Sequence, residues 1–482
     1  MKLICAVRIA LLTVLLASQC HLSIGQAVTD TAFVVLDSSA VVRVDKIFII
    51  GNRRTKPRII LREMDTKAQM TLTWHELQAT LANDRRRIIN TKLFLRVDIR
   101  KILVAENQID LIVSVAERWY TIPSPYVKLA DRNFNDWRTN YDSDLRRLEY
   151  GMKLTQYNFR GLNERLRLDA QFGFTRRFAI QYQKPYIDQA QKNGINLNFA
   201  YAETNNVIYQ TEQHVPVSTD TLRRSLETLT AGLGWQHRGS YYSTHTVDID
   251  FYRNQISDTI TELNPRYFLE NRLTQRYFQL GYRFIHDQRD FVGYPLNGFL
   301  VSIAGQKIGL GVFDDVNIWR LITQYIHYAQ LGKNLFASSA VRGMVSGPRV
   351  QPYANFSGLG YQGLWLRGYE TYAIEGQHFV LHQNSLSYRL FDTVFNLDRI
   401  IPFGQFDKLP LALYLKVFYD HGAVRNTVSY PPQQILSNRY LYSTGVAIDL
   451  VSFYDFVFRI GYPLAVSSGV EQRYFLNFRA SF

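Results

Sequence analysis

The chain has 482 residues, 55 Lys and Arg against 41 Asp and Glu for a net charge of +14, and only two cysteines, Cys5 and Cys20. No stretch offers about 18 consecutive apolar residues, which excludes a transmembrane helix. So few cysteines exclude a disulfide framework and a cysteine-ligated metal site.

Met1–Gly25 reads as a secretory signal. Lys2 and Arg8 supply the positive start, and Ile9–Ala17 is an apolar run too short to span a bilayer. Ser23 and Gly25 place small residues ahead of a cut before Gln26. A lipoprotein cut before Cys20 is disfavoured by Gln19 at the preceding position. With the signal removed, the mature chain holds no cysteine. Gln26–Ala40 has no apolar period and reads as a linker.

Val41–Ile50 is a predicted strand, closed by a turn at Gly51-Asn52. Pro57 opens a short helix, where its missing N–H leaves nothing unsatisfied. Thr73 and Glu76 form a capping box ahead of a longer helix with Trp74, Leu77, Leu81 and Ile88 on one stripe. Phe94–Leu103 and Ile109–Val115 are two more strands, joined at Glu106-Asn107. The order is β-α-α-β-β, enough for one small core over residues 41–118. Within Arg43–Arg118, sixteen Lys and Arg face nine Asp and Glu, so half the net charge sits in a sixth of the chain. Such a surface is either simply solvated or attractive to anionic lipid headgroups and acidic clients.

The order and spacing of Ile50-Gly51-Asn52-Arg53-Arg54-Thr55, Leu93-Phe94 and Val113–Glu117 resemble the POTRA module of exported barrel proteins. The resemblance implies a periplasmic domain that binds clients or partners.

Beyond Glu117 the period becomes two. Leu166, Leu168, Ala170, Phe172 and Phe174 alternate with Arg165, Arg167, Asp169, Gln171 and Gly173. Val247, Ile249 and Phe251 alternate with Asp248 and Asp250; Phe278, Leu280, Tyr282 and Phe284 with Gln279, Gly281 and Arg283. Leu411–Tyr419 behaves similarly. About ten tilted residues cross a hydrocarbon core, and charge on one face with aromatics on the other favours a membrane wall over a soluble sheet. Aromatics reach 14% of the chain, including 31 Tyr and 30 Phe, as two aromatic girdles require. The expected fold is mainly β: a transmembrane β-barrel of about 16 strands over residues 119–482, preceded by the small α+β module. Long loops are expected at Val207–Leu222, Asn254–Thr274 and Gly347–Tyr372.

Phe356–Glu370 is too glycine-rich for a strand and too aromatic for an idle solvent loop. Its glycines stand at 358, 360, 363 and 368, and Arg367 lies beside Gly368, flanked by Trp365 and Tyr369. It reads as a loop folded back into the barrel lumen with Arg367 at its tip. The chain ends in a strand with Tyr474, Leu476, Phe478, Ala480 and Phe482 on one face.

Three stretches are similar to the BamA/TamA outer-membrane assembly family of bacterial surface-antigen barrels. His286-Asp287-Gln288-Arg289-Asp290, followed by Pro295 and Gly298, resembles its D-x-R-D…P-x-x-G strand boundary. Leu366-Arg367-Gly368-Tyr369 resembles its R-G-[FY] loop tip. Val417–Gly422 resembles its F-x-D-x-G strand, with Asp420 and Gly422 at the motif positions. The terminal phenylalanine resembles the family's assembly signal.

The resemblance implies a Gram-negative outer-membrane barrel that inserts or translocates polypeptides, with Arg367 pairing Asp420 inside the lumen. That pair either braces the barrel or acts in the mechanism. Implied partners are outer-membrane lipids, unfolded outer-membrane or secreted polypeptides, and periplasmic or lipoprotein subunits; nucleic acid is a poor partner behind an export signal. A single module departs from the several of the general bacterial assembly factor. That leaves a dedicated transporter, an accessory barrel and a passive pore as alternatives to a general insertase. No cofactor is implied. No Gly-x-Ser-x-Gly, phosphate loop or His-Glu-x-x-His is present, so the chain is not expected to be an enzyme. His378 and His382 share a strand face about 13 Å apart, too far to ligate one metal.

Overall fold

The structure is a computed structural model that describes residues 39–482 except 131–136, 138–141, 189, 191, 220–223, 314, 362–363, 397–407, 429–434, 453–455, 471–474 and 480–482. The signal segment and most of the linker lie outside the described residues, as do Gly363, Tyr474, Ala480 and Phe482.

The N-terminal module has strands β1 (Val41–Ile50), β2 (Thr71–Thr73), β3 (Phe94–Ala105) and β4 (Gln108–Glu117). Helices α1 (Pro57–Leu61) and α2 (Trp74–Asn90) lie between them in sequence. The capping box forms, with Thr73 and Glu76 exchanging bonds at the start of α2. The sheet order is β2-β1-β4-β3, with β1 parallel to β4. The sequence reading missed β2, because its three residues merge with the helix cap and carry no apolar run. Leu77 and Leu81 pack with Val42, Val44, Ile109 and Leu111, while Ile88 joins Ile59, Phe94, Val97 and Val113. Removing such apolar area from water holds the small domain together.

Among the described residues the remainder holds one 16-stranded antiparallel sheet, from β5 (Thr121–Leu129) to Phe475–Arg479, in which each strand is bonded to the next of that sheet in chain order. Leu168, Phe172, Leu280, Leu415 and Val417 are exposed on one face, while Asp169, Lys416 and Asp420 are buried on the other. The polar face is therefore the concave one. The sheet curls far enough that Tyr294, following strand Thr274–Asp287, donates to Asp449 of strand Tyr440–Ser452 at 2.9 Å, although five strands intervene in the sheet. In the last strand, Leu476 pairs in register with Ile460 and Phe478 with Phe458.

Two expected loops carry regular structure. Residues 207–222 contain the hairpin Ile208–Glu212/Val215–Ser218. Strand Ser243–Ile256 runs into the second, which then forms the helix Asp258–Leu263. No described helix is long and apolar enough to cross a membrane.

Candidate functional site

The loop between strands Leu335–Gly347 and His378–Asn396 folds back against the concave face. Its ends are drawn together by the paired segments Gly358–Leu359 and Ile374–Glu375. Leu359, Leu366, Tyr369 and Ile374 then pack with Met344, Phe379, Leu381, Val424 and Leu441 of the wall. The loop is thus seated by an apolar core of its own before any charge is counted.

Arg367 stands at the tip. Its Nε donates to Asp420 Oδ2 at 2.7 Å and its Nη2 donates to Oδ1, a two-point pair in which Asp420 is fully buried. Arg367 Nη1 also donates to Ser385 Oγ at 2.9 Å, Nη2 to the Asn384 carbonyl at 3.1 Å, and the guanidinium lies over the Phe418 ring at 4.3 Å. Gln383 Nε2 gives Asp420 Oδ2 a further bond at 3.2 Å. The planar fork of arginine matches a carboxylate in this way, and lysine would not.

Gly368 has φ of 91°, and a Cβ there would lie 3.0 Å from Pro463. Tyr369 donates its hydroxyl to the Tyr442 carbonyl at 2.9 Å and accepts from Ser467 N–H at 3.1 Å, tying the tip to two wall segments. Gly422 meets the neighbouring strand rather than the loop: a Cβ there would sit 2.5 Å from the Val380 carbonyl oxygen.

The strand-boundary residues build a turn. Arg289 forks onto Asp287 at 2.8 and 2.6 Å, and Asp290 Oδ1 accepts from Phe291 and Leu296 N–H. Gly298, at φ 96°, lets the chain pass close to the Gln288 carbonyl. The turn runs through Pro295 and carries Tyr294 inward. There Asp449 accepts from Tyr294, from Lys416 Nζ at 2.5 Å and from Arg459 Nε at 2.6 Å. The sequence reading missed this buried cluster. Its one signal was that Lys416 alternates with Leu415 and Val417 and so had to face inward.

Gly51 takes φ of 88° against the Val115 carbonyl, and Asn52 Nδ2 bonds the Thr55 carbonyl at 3.0 Å. Thr55 also bonds Glu117, and its hydroxyl accepts from Asn158 Nδ2 at 2.8 Å, so this turn stands where the module meets the sheet. A second contact is made by Arg238, whose guanidinium forks onto Glu63 at 2.6 and 2.9 Å. Beside it, Arg87 pairs with Asp65 and holds that carboxyl below its usual range.

His382 pairs with His421 across the outer face at 3.0 Å rather than with His378. Among the described residues, no group of three or more His, Cys, Asp or Glu could hold a metal.

Residues 158–482 match the Omp85 superfamily domain. The chain belongs to the Omp85 superfamily. Its fold resembles that of BamA from Haemophilus ducreyi lacking POTRA domains 1–3, with TM-score 0.53, 16% identity, and 91% of this chain and 84% of that chain covered. It also resembles CdiB from Escherichia coli, with TM-score 0.55, 12% identity, and 91% and 75% covered. No curated protein sequence matches the chain. Omp85 members are outer-membrane barrels of assembly and transport rather than enzymes. The curled sheet, with its outward apolar face and polar concave face, matches those barrels in fold.

Proposed function

We propose that this Omp85 barrel lies in the outer membrane with its module in the periplasm, and that it passes polypeptides into or across that membrane. The observation that carries the reading is the seating of Leu366–Tyr369 within the lumen, with Arg367 forked onto fully buried Asp420. A pinned plug is what a conduit for large clients needs at rest, since an unobstructed lumen would leak solutes.

The module receives the client or a partner subunit. Strand β3 lies at the edge of its sheet, and Ile102, Leu103 and Val104 are exposed along it. An extended chain can add to such an edge through main-chain hydrogen bonds. The client then templates on the first and last strands, β5 and Phe475–Arg479, where they part. These strands are the two ends of the sheet order. A passive pore is the weaker reading, because the apolar core and ion pair of the loop both hold the lumen filled.

A disulfide engineered between β5 and Phe475–Arg479 tests the route in cells that depend on the chain. Both native cysteines lie in the signal segment, so the pair would be unique in the mature protein. Client assembly should stop in the locked form and resume with reductant. Full assembly while locked would refute strand parting.

A further inference from the structure

A cavity of about 640 Å³ lies where the module meets the periplasmic end of the lumen. Its cations come from both sides: Arg86, Arg87 and Lys92 from the module, and Arg165, Arg238 and Arg289 from the barrel. Among the described residues its carboxylates are Glu63 and Asp287 alone. Both are already taken, Glu63 by Arg238 and Asp287 by Arg289. Arg87 is matched by Asp65, which lies outside the lining.

Two guanidinium groups remain without a carboxylate among the described residues. Arg86 is exposed and bonds only Asn83, at 3.0 Å. Arg165 faces inward beside Arg167, whose Nε is buried with no hydrogen-bond partner. Like charges held this close in a partly enclosed space focus a positive potential on whatever enters. The remaining wall is amphipathic: Tyr157 and Tyr242 line it together with Tyr186 and Tyr241, whose rings each carry a guanidinium, of Arg62 and Arg87, on one face, and such aromatic side chains are enriched where peptide chains bind.

We propose that this cavity binds an acidic stretch of extended polypeptide on its way into the lumen. The proposal rests on the reading of the chain as a polypeptide conduit and names the chemistry of the segment admitted. A lipid headgroup fits less well. Arg165 and Arg167 point to the lumen, whereas the alternating Leu166 and Leu168 carry the bilayer face, so a bilayer phosphate approaches the wrong side. A cavity of this volume takes a short run of residues rather than a point anion.

The test uses the purified full chain in detergent and a fluorescein-labelled Gly/Ser peptide with clustered Asp and Glu, read by anisotropy. A matched Lys peptide, inorganic phosphate and anionic phospholipid vesicles are the comparisons. The acidic peptide should bind, weaken with added salt, and lose about fivefold to tenfold in affinity in Arg86→Gln with Arg165→Gln. Arg86→Gln alone, on an exposed helix position, should show part of that loss without risk to folding. Equal binding of the Lys peptide, displacement by phosphate or vesicles at matched charge, or unchanged affinity in the double variant would overturn the proposal. Binding intact in a chain that moves no polypeptide would leave this site standing and refute the conduit.

Discussion

Arg238 closes strand Leu226–Arg238 and sets both terminal nitrogens on Glu63 of the module, 175 residues earlier, with the glutamate side chain only 2% exposed. This pair, with Arg62 stacked over Tyr186 at 3.8 Å and Arg87 over Tyr241 at 3.9 Å, docks the module against the barrel turns. Arg238→Ala leaves Glu63 buried, although Arg62 Nε still faces it at 3.2 Å. The cost should therefore fall below the roughly 3–5 kcal/mol of a fully orphaned buried charge. Spin labels on α2 and on the turn at Gly239 should give one narrow distance in the native chain and a broad distribution in Arg238→Ala. A narrow distance in the variant would show that the pair does not hold the module.

The lumen loop makes a second prediction. Arg367→Ala leaves Asp420 with only the Gln383 amide and the residue-367 backbone N–H as donors and no cation, and should destabilise the seated loop by about 3 kcal/mol. Replacing both partners with apolar residues of similar size should restore much of that loss. The check is protease cleavage within Phe356–Glu370 across the four chains of a double-mutant cycle. Protection equal to wild type in Arg367→Ala would mean that the apolar core seats the loop without the pair.

His214 ties three outer loops together. Its Nε2 accepts from Leu436 N–H at 2.8 Å and its Nδ1 donates to the Ala373 carbonyl at 3.3 Å, so the ring must be neutral. Burial lowers its pKa from the ordinary 6.5. The unfolded or opened state then binds the extra proton, so this contribution is present above about pH 6.5 and is lost as pH falls through and below that value. Cleavage of the loops near residues 214, 373 and 436 should rise on acidification in the native chain. In His214→Gln it should vary much less with pH. A native chain equally protected on both sides of that range would contradict the assignment.

The wall and the loop tip were legible because each writes its physics locally. Period-two alternation at Arg165–Phe174 dictates which side meets lipid, and a lone arginine beside Gly368 in an aromatic segment needs a buried acceptor. Tertiary register is written nowhere in the sequence. The Asp449 cluster forms only once the sheet curls and brings Tyr294 across the lumen, and Glu63 meets Arg238 only when the module is docked. Gly422 stands at a motif position two residues from Asp420 and so shares its strand face, but the reason for a glycine there, the close approach of the Val380 carbonyl, appears only in the strand pairing. The hairpin at 208–218 lay hidden because its strands are only five and four residues long, too short for a period to stand out.

The central claim is that the plugged barrel handles polypeptides. Depleting the chain in its own cells and quantifying the outer-membrane and secreted proteins tests it most directly. A defined set of those proteins should fall and should recover when the native chain is restored. Unchanged levels of every one of them, together with a large steady conductance of the purified chain in planar bilayers, would contradict the account.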